Sequence, residues 1–287
     1  MIDDICIRHP IYIPKTVSNN HKLSIIYITY RPGGMDVLCN SLKRQTYKDY
    51  ELIVVDDYPN RDLKEYFDGN GIPITYYGPS KEKHYKDTPF GQVNAFNTGI
   101  LKATGDVVVF MSDYVWLESN SLERWNQVYN VLPNTVLCTA PAIRWKYKHP
   151  DKIGDISVWD EDFNGDFSKC SFKGLSVTGI FDAFPFDWEY SAMPMYALEK
   201  MNGMDERFDY GLQYLTQFFP IQCRINNFKF FLDIDHIFHV IDHREWNLGG
   251  EDLWDIVNKA KKITVSHTFD FIYAYNPNNF NIKELRE

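Results

Sequence analysis

The sequence predicts an α/β protein, a mainly parallel sheet flanked by helices, and three observations carry that prediction. Residues 22–30 (KLSIIYITY) and 50–55 (YELIVV) are β-branched and aromatic, the composition of buried strands. A helical segment and a turn then lead into a continuous apolar run, residues 107–111, which stops on Asp113 between Ser112 and Tyr114. Strands alternating with helix-length segments argue for crossover connections and therefore for parallel pairing. Open sheets of that kind bind ligands beyond the carboxyl ends of their strands, where Asp113 would stand.

Taken in order, residues 1–21 read as irregular or as an edge segment, because Pro10 and Pro14 interrupt pairing. The first strand ends in a turn, TYRPGG, after which residues 35–45 carry Val37, Leu38 and Leu42 at helical spacing. The second strand ends on Asp56-Asp57, followed by a short helix over 61–68 and a third strand over 72–77. Residues 79–89 form a charged loop of a length that can fold over a ligand. The next helix carries Asn94 and Asn97 and turns at Thr104-Gly105 into the central strand. A helix over 119–132 and a strand over 135–140 come next. Between 143 and 172 periodicity gives way to Trp, Lys, Asp and Gly, a long excursion outside the core sheet. A short helix over 193–201, the turn NGMDERFDYG, a longer helix over 212–226 and a strand over 228–232 follow. The histidine-bearing stretch DIDHIFHVIDH then precedes a last amphipathic helix near 251–263.

A net charge of −9 disfavours non-specific attraction to nucleic acid, and an anionic nucleotide would need a divalent cation or a local Arg/Lys pocket. The five cysteines are scattered without a C-x-x-C pair, which supports neither a disulfide framework nor a cysteine zinc site and suits a reducing compartment. The N-terminus lacks the apolar core of a signal peptide, and no window approaches the ~18 apolar residues of a spanning helix. The expectation is a soluble, cytoplasmic protein, with peripheral membrane contact left open. Aromatic residues make up 16% of the chain; most fill a core, and exposed Tyr and Trp suit sugar- or base-binding surfaces.

Polar clusters fall at strand ends: Thr29-Tyr30-Arg31, Asp56-Asp57, Asp113, and the histidines of 236–243. A lone strand-end Asp is commonly a turn or cap residue. Two parallel strands that both end on Asp are more informative, since their carboxylates share one edge of the sheet. SIIYITYRPGG, QTYKDYELIVVDD, NAFNTGILKATGDVVVFMSDYVWL and MNGMDERFD stand in one order and spacing. With these four stretches the chain, over about residues 22–240, resembles the family 2 glycosyltransferases of the GT-A fold.

The resemblance implies a donor site for a nucleoside diphosphate sugar. Thr29, Tyr30 and Arg31 match the segment contacting base and ribose, and Asp56-Asp57 the acidic pair that bonds the base, commonly uracil. Asn97 and Gly99 match the N-x-G of the following helix, although Phe96 stands where the family has Arg. Ser112 and Asp113 match the metal-diphosphate turn. In the family's D-x-D motif, Met111 replaces the first acid and Asp113 keeps the second. Mn2+ or Mg2+ would then rest on Asp113 together with diphosphate oxygens. His239 is the first choice for a further metal ligand, with His236 and His243 behind it. The histidine spacing also suits zinc, without a clear fourth ligand, or partly buried structural histidines.

For the catalytic base the family's E-D pair falls on Thr216-Gln217, so Asp205, Glu206, Asp209 and Glu189 are the candidates. Asp205 is favoured among them, and a helix cap is the alternative role for it. The implied activity is inverting, hexosyl-type transfer from a UDP-linked donor to a glycan or other hydroxyl acceptor, with the Trp and Tyr residues of 145–190 at the acceptor. On this layout residues 1–240 form one domain, with a nucleotide-sugar half over 22–140 and an acceptor half over 141–240. Residues 241–287 form a C-terminal helical extension. Two rivals are a nucleotide-sugar-binding relative without turnover and a sugar nucleotidyltransferase. The second is disfavoured by TYRPGGMD, which has one Arg and only two adjacent glycines.

Overall fold

The computed structural model describes residues 7–30, 34–58, 61–81, 91–133, 136–139, 142–146, 167–170, 179–181, 189–209, 219–242 and 275–286. Its centre is the parallel trio expected from the apolar runs. Strand β2 (Leu23–Thr29) lies between β3 (Tyr50–Asp56) and β5 (Val107–Ser112), parallel to both, and β4 (Ile74–Gly78) extends the sheet beyond β3. Strands β2, β3 and β5 are buried because both faces are covered, and alternate residues serve opposite layers. Ile25, Tyr27, Val54, Val109 and Met111 pack on one side with Leu38 and Leu42 of α1 (Met35–Lys43), Phe67 of α2 (Lys64–Gly69), and Leu122 and Trp125 of α4 (Ser121–Val131). Ile26, Ile28, Val55, Val108 and Phe110 pack on the other with Phe96 and Ile100 of α3 (Gln92–Lys102) and Leu198 of α5 (Met195–Met201).

The second half of the sheet departs from simple alternation. Strand β11 (Tyr190–Pro194) inserts between β5 and β7 (Val136–Thr139), antiparallel to both. Residues 193–194, expected to open a helix, are therefore strand, and α5 starts at Met195. The sheet continues through β12 (Lys229–Leu232), which runs parallel to β7, to β10 (Gly179–Phe181) and β1 (Ile7–Pro10) at the edge. The edge position of β1 fits the prolines of that segment. Two short strands that the sequence reading missed, β6 (Val115–Leu117) and β13 (Phe238–Asp242), join β8 (Ala142–Lys146) and β9 (Phe167–Cys170) in a second sheet. The excursion after 143 thus lies outside the core sheet where it is described.

Of the expected helix over 212–226, Phe219–Ile225 is seen as α6. The helix near 251–263 lies outside the described residues. The end of the chain, α7 (Ile282–Arg286), returns to the core, with Ile282 buried against the α3 and α5 layer. An asparagine web ties it there. Asn202, in the left-handed C-cap of α5, donates to the carbonyls of Asn276 (3.1 Å) and Phe280 (2.8 Å) and accepts from the Ile282 amide (3.0 Å). Among the described residues no helix is long and apolar enough to cross a membrane.

Candidate active site

The carboxyl ends of β3, β2 and β5 meet at one edge, and register places the polar residues together. Thr29 pairs with Asp56 on one side, and Ile28 with Ser112 on the other, which leaves Asp113 next to Thr29. The Thr29 hydroxyl donates to Asp113 Oδ2 at 3.2 Å. Asp113 is only 2% exposed. It is followed by Tyr114 at φ 63, a left-handed conformation that is strained for an aromatic residue. That turn reverses β5 into β6 and seats the Tyr114 ring against Gly34. Gly34 itself has φ 86, and a Cβ there would meet the Tyr27 hydroxyl at 3.2 Å. The Tyr27 phenol is pushed well above its ordinary range, by burial first and by the charge of Asp113 second.

On the far side of β5, the Ser112 amide donates to the Glu189 carbonyl at 3.0 Å. Glu189 thus enters β11 beside the Asp113 turn, and it is buried. Met111, where the family places its first acid, is fully buried and faces the α1 and α4 layer. A carboxylate at 111 would be a charge inside that apolar layer, which accounts for the single acid.

The Asp56-Asp57 pair divides its work. Asp56 is held by Arg61 in a two-pronged ion pair (both contacts 2.7 Å), by the Tyr77 hydroxyl (2.8 Å) and by the Tyr58 amide (2.9 Å). This carboxylate anchors the β3 end. Asp57 instead accepts from Ser80, through its amide (3.0 Å) and its hydroxyl (2.7 and 2.9 Å), after β4. Tyr30 is half-buried beyond β2, and Arg31 lies outside the described residues.

Other expected site residues make hydrogen bonds and packing contacts within the fold. Asn97, expected at the nucleotide, clasps the 202–206 turn: its Nδ2 donates to Met204 O (2.8 Å) and Glu206 Oε1 (3.0 Å), and its Oδ1 accepts from the Met204 amide (2.9 Å). Gly99 has a packing reason, since a Cβ there would come within 2.2 Å of Ile26 Cγ2 and push α3 off β2. Asp205, the favoured base, caps the 3-10 turn Glu206–Phe208 and is bound by Arg207, with Nε at 2.9 Å from Oδ1. It has the cap role. Glu206 is bound by Lys81 (2.7 Å) as well as Asn97. Asp209 accepts from the Asn94 amide at 2.9 Å, in the first turn of α3. Its carboxyl is raised to about 7, chiefly by burial; the bond from Asn94 opposes that rise and the nearby Glu206 charge adds to it.

His239 faces Glu118, Nε2 to Oε1 at 2.9 Å, and stands opposite Trp116 on β6, three residues beyond Asp113. Burial lowers its pKa and Glu118 pulls the other way. His236 is a core residue, its ring 4.6 Å from that of Trp125 and 5.6 Å from that of Tyr190, and burial lowers it to about 4. His243 and Trp159 lie outside the described residues. Arg61, Tyr77, Ser80, Lys81 and Glu118 were missed by sequence reasoning. Only Arg61, a basic residue in the turn right after the acidic pair, left a local signal. Among the described residues no group of three or more His, Cys, Asp and Glu side chains could hold a metal ion. The donor set, one buried carboxylate, fits Mn2+ or Mg2+ only as an ion shared with phosphate oxygens and water, not one caged by protein.

A doubly covered sheet whose parallel strands end in carboxylates at one edge is the architecture of GT-A glycosyltransferases. Two solved structures share it. The crystal structure of GalNAc-T7 with UDP, GalNAc and Mn2+ superposes with a TM-score of 0.56 at 12% identity, covering 80% of this chain and 44% of that one. The mannosyltransferase PcManGT from Pyrobaculum calidifontis, in complex with GDP-Man and Mn2+, gives 0.52 at 14% identity, covering 88% and 66%. Residues 24–165 match the model for glycosyl transferase family 2, and this stretch carries that family's domain. An uncharacterized glycosyltransferase of Nostoc sp. is 31% identical over 110 residues, 38% of this chain and 33% of that protein. This chain thus spans about a third of that curated relative and between about two fifths and two thirds of the two solved structures.

Proposed function

We propose that the chain transfers a hexose from a nucleoside diphosphate sugar, UDP-linked, to a hydroxyl of a glycan acceptor, with inversion at the anomeric carbon. One observation carries this reading: Asp113, buried and held by Thr29, stands at the edge that β3 closes with Asp56 and Asp57. Asp57, which accepts from the amide and hydroxyl of Ser80, is the member of the pair suited to bond a base. Arg61 keeps Asp56 as an anchor. A divalent cation, Mn2+ or Mg2+, held on Asp113 and the diphosphate would supply Lewis-acid neutralisation of the leaving group. The Thr29 bond orients the Asp113 carboxylate before the donor arrives.

Glu189 is the proposed base, because it is buried and enters β11 beside the Asp113 turn. It takes the acceptor proton as the acceptor oxygen bonds to the anomeric carbon and the bond to the diphosphate breaks. The 145–190 region would carry the acceptor. Cytoplasmic residence, with a reducing environment for the buried thiols of Cys39 and Cys223, is part of the proposal.

A donor panel with Mn2+ and mixed saccharide acceptors tests the reading. Turnover is expected, and Asp113→Asn should lower kcat/KM by about 100-fold or more. Full activity in that variant would overturn the site assignment. Met111 favours a second reading, a nucleotide-sugar binder without turnover. Metal-dependent UDP binding with no transfer and no donor hydrolysis would select it.

A further inference from the structure

A cavity of about 460 Å³ lies apart from the Asp113 turn, between the segment after β1 and the first turns of α4. Its volume is in the ~300–1,000 Å³ range of small-ligand sites. We propose that this cavity is a carbohydrate subsite for a neutral oligosaccharide, the distal part of a glycan acceptor. The link to an acceptor rests on the transferase reading above; the binding chemistry does not.

Tyr12 is 81% exposed, a large aromatic left in solvent at the rim of a concavity. An aromatic face of that kind packs on the C–H face of a sugar ring, and its hydroxyl bonds at the edge. Facing it are Lys15, Glu123, Arg124, Gln127 and Asp235, a mixed set of donors and acceptors suited to hydroxyl groups. Lys15 and Arg124 stand among Glu123, Asp235 and, behind Arg124, Asp233, a nearly balanced set with a small acidic excess that suits hydroxyl groups and disfavours an anion. The walls are fixed before any ligand binds. Arg124 is held by the fully buried Asp233 (3.1 Å through its NH2), and Gln127 Nε2 donates to the Lys15 carbonyl at 2.8 Å, joining α4 to the N-terminal segment. Preformed walls lower the ordering cost of binding.

Topology connects the cavity to the proposed reaction. β1 and β12 are each antiparallel to β10, β12 is parallel to β7, and β7 and β5 are each antiparallel to β11. β1 therefore runs in the direction of β5, and the Tyr12 segment leaves the sheet on the edge that carries Asp113. An extended glycan can lie along that edge with one end in the cavity.

The test is saturation-transfer NMR on the full chain, without donor, against neutral trisaccharides of glucose, mannose, galactose and N-acetylglucosamine. At least one should bind, and Tyr12→Ala should weaken it about tenfold, the loss of one stacked ring. Tyr12→Trp should keep it. UDP binding with Mn2+, measured on the same variants, should not change, which separates failure of this subsite from failure of the donor site. No saturation transfer from any neutral saccharide would overturn the proposal. Equal binding by Tyr12→Ala, or preference for trigalacturonate over the neutral panel, would do so too.

Discussion

The acidic residues of this protein fall into two neighbourhoods that differ in what already holds them. In the turn after α5, Asp205 is gripped by Arg207, Glu206 by Lys81 and Asn97, and Asp209 by the first turn of α3. At the sheet edge Asp113 is met by a hydroxyl, and Glu189 is tied through its backbone to Ser112. Asp56 sits at the edge but belongs in kind with the turn, because Arg61 holds it. On the proposed reading, the first group holds the fold together through cationic and amide partners, and the second is the pair at the sheet edge that would meet the ligand.

The sharpest way to break the comparison is to neutralise one acid from each neighbourhood. Glu189→Gln is expected to lower kcat by about 10²–10⁴, the usual contribution of a positioned base, with a urea midpoint near that of the parent. A variant that keeps its rate would remove Glu189 from the chemistry.

Asp209 offers a pH test of the turn. Its folded carboxyl, raised to about 7, lies above the unfolded value near 3.8, so the folded state holds this proton more tightly. The resulting stability is fully present below about pH 4 and is lost as pH rises through about 7. Asp209→Asn keeps the Oδ1 acceptor and removes the buried charge. It should gain stability over the parent between pH 5 and pH 8, on the order of a few kcal/mol at the upper end. Parallel urea curves for the two proteins at both pH values would sink this account of Asp209.

The smallest effect belongs to Asp205→Ala. Loss of a fully buried ion-pair partner costs ~3–5 kcal/mol, but Arg207 is 41% exposed, so solvent screens the pair and about 2 kcal/mol is expected. The change should appear in the urea midpoint, with kcat/KM of the folded enzyme close to the parent. A rate collapse without a stability change would move Asp205 into the other class.

Much of the edge was legible because β2, β3 and β5 are apolar through their length and end on polar residues, a pattern contained in each short window. The strand β11 was not legible. Its five residues (YSAMP) merge with the helical pattern of 195–201, and only pairing with β5, some 80 residues earlier, makes them a strand. The same limit explains Asn97. A motif position suggested the nucleotide, whereas its hydrogen bonds go to a turn more than 100 residues later. Asp205 illustrates a different limit. Its sequence neighbour two places on, Arg207, was in view, but only coordinates show that the guanidinium folds back onto it.

The insertion of β11 between β5 and β7 also bears on how the molecule is assembled. Until residues 190–194 arrive, Val107–Ser112 has β2 on one side and nothing permanent on the other. That open side belongs to one of the most apolar and β-prone stretches of the chain, the kind of edge that recruits other strands. Any fragment that stops before Tyr190 would carry this sticky edge permanently, and a nascent or partly refolded chain carries it for as long as the long-range closure takes.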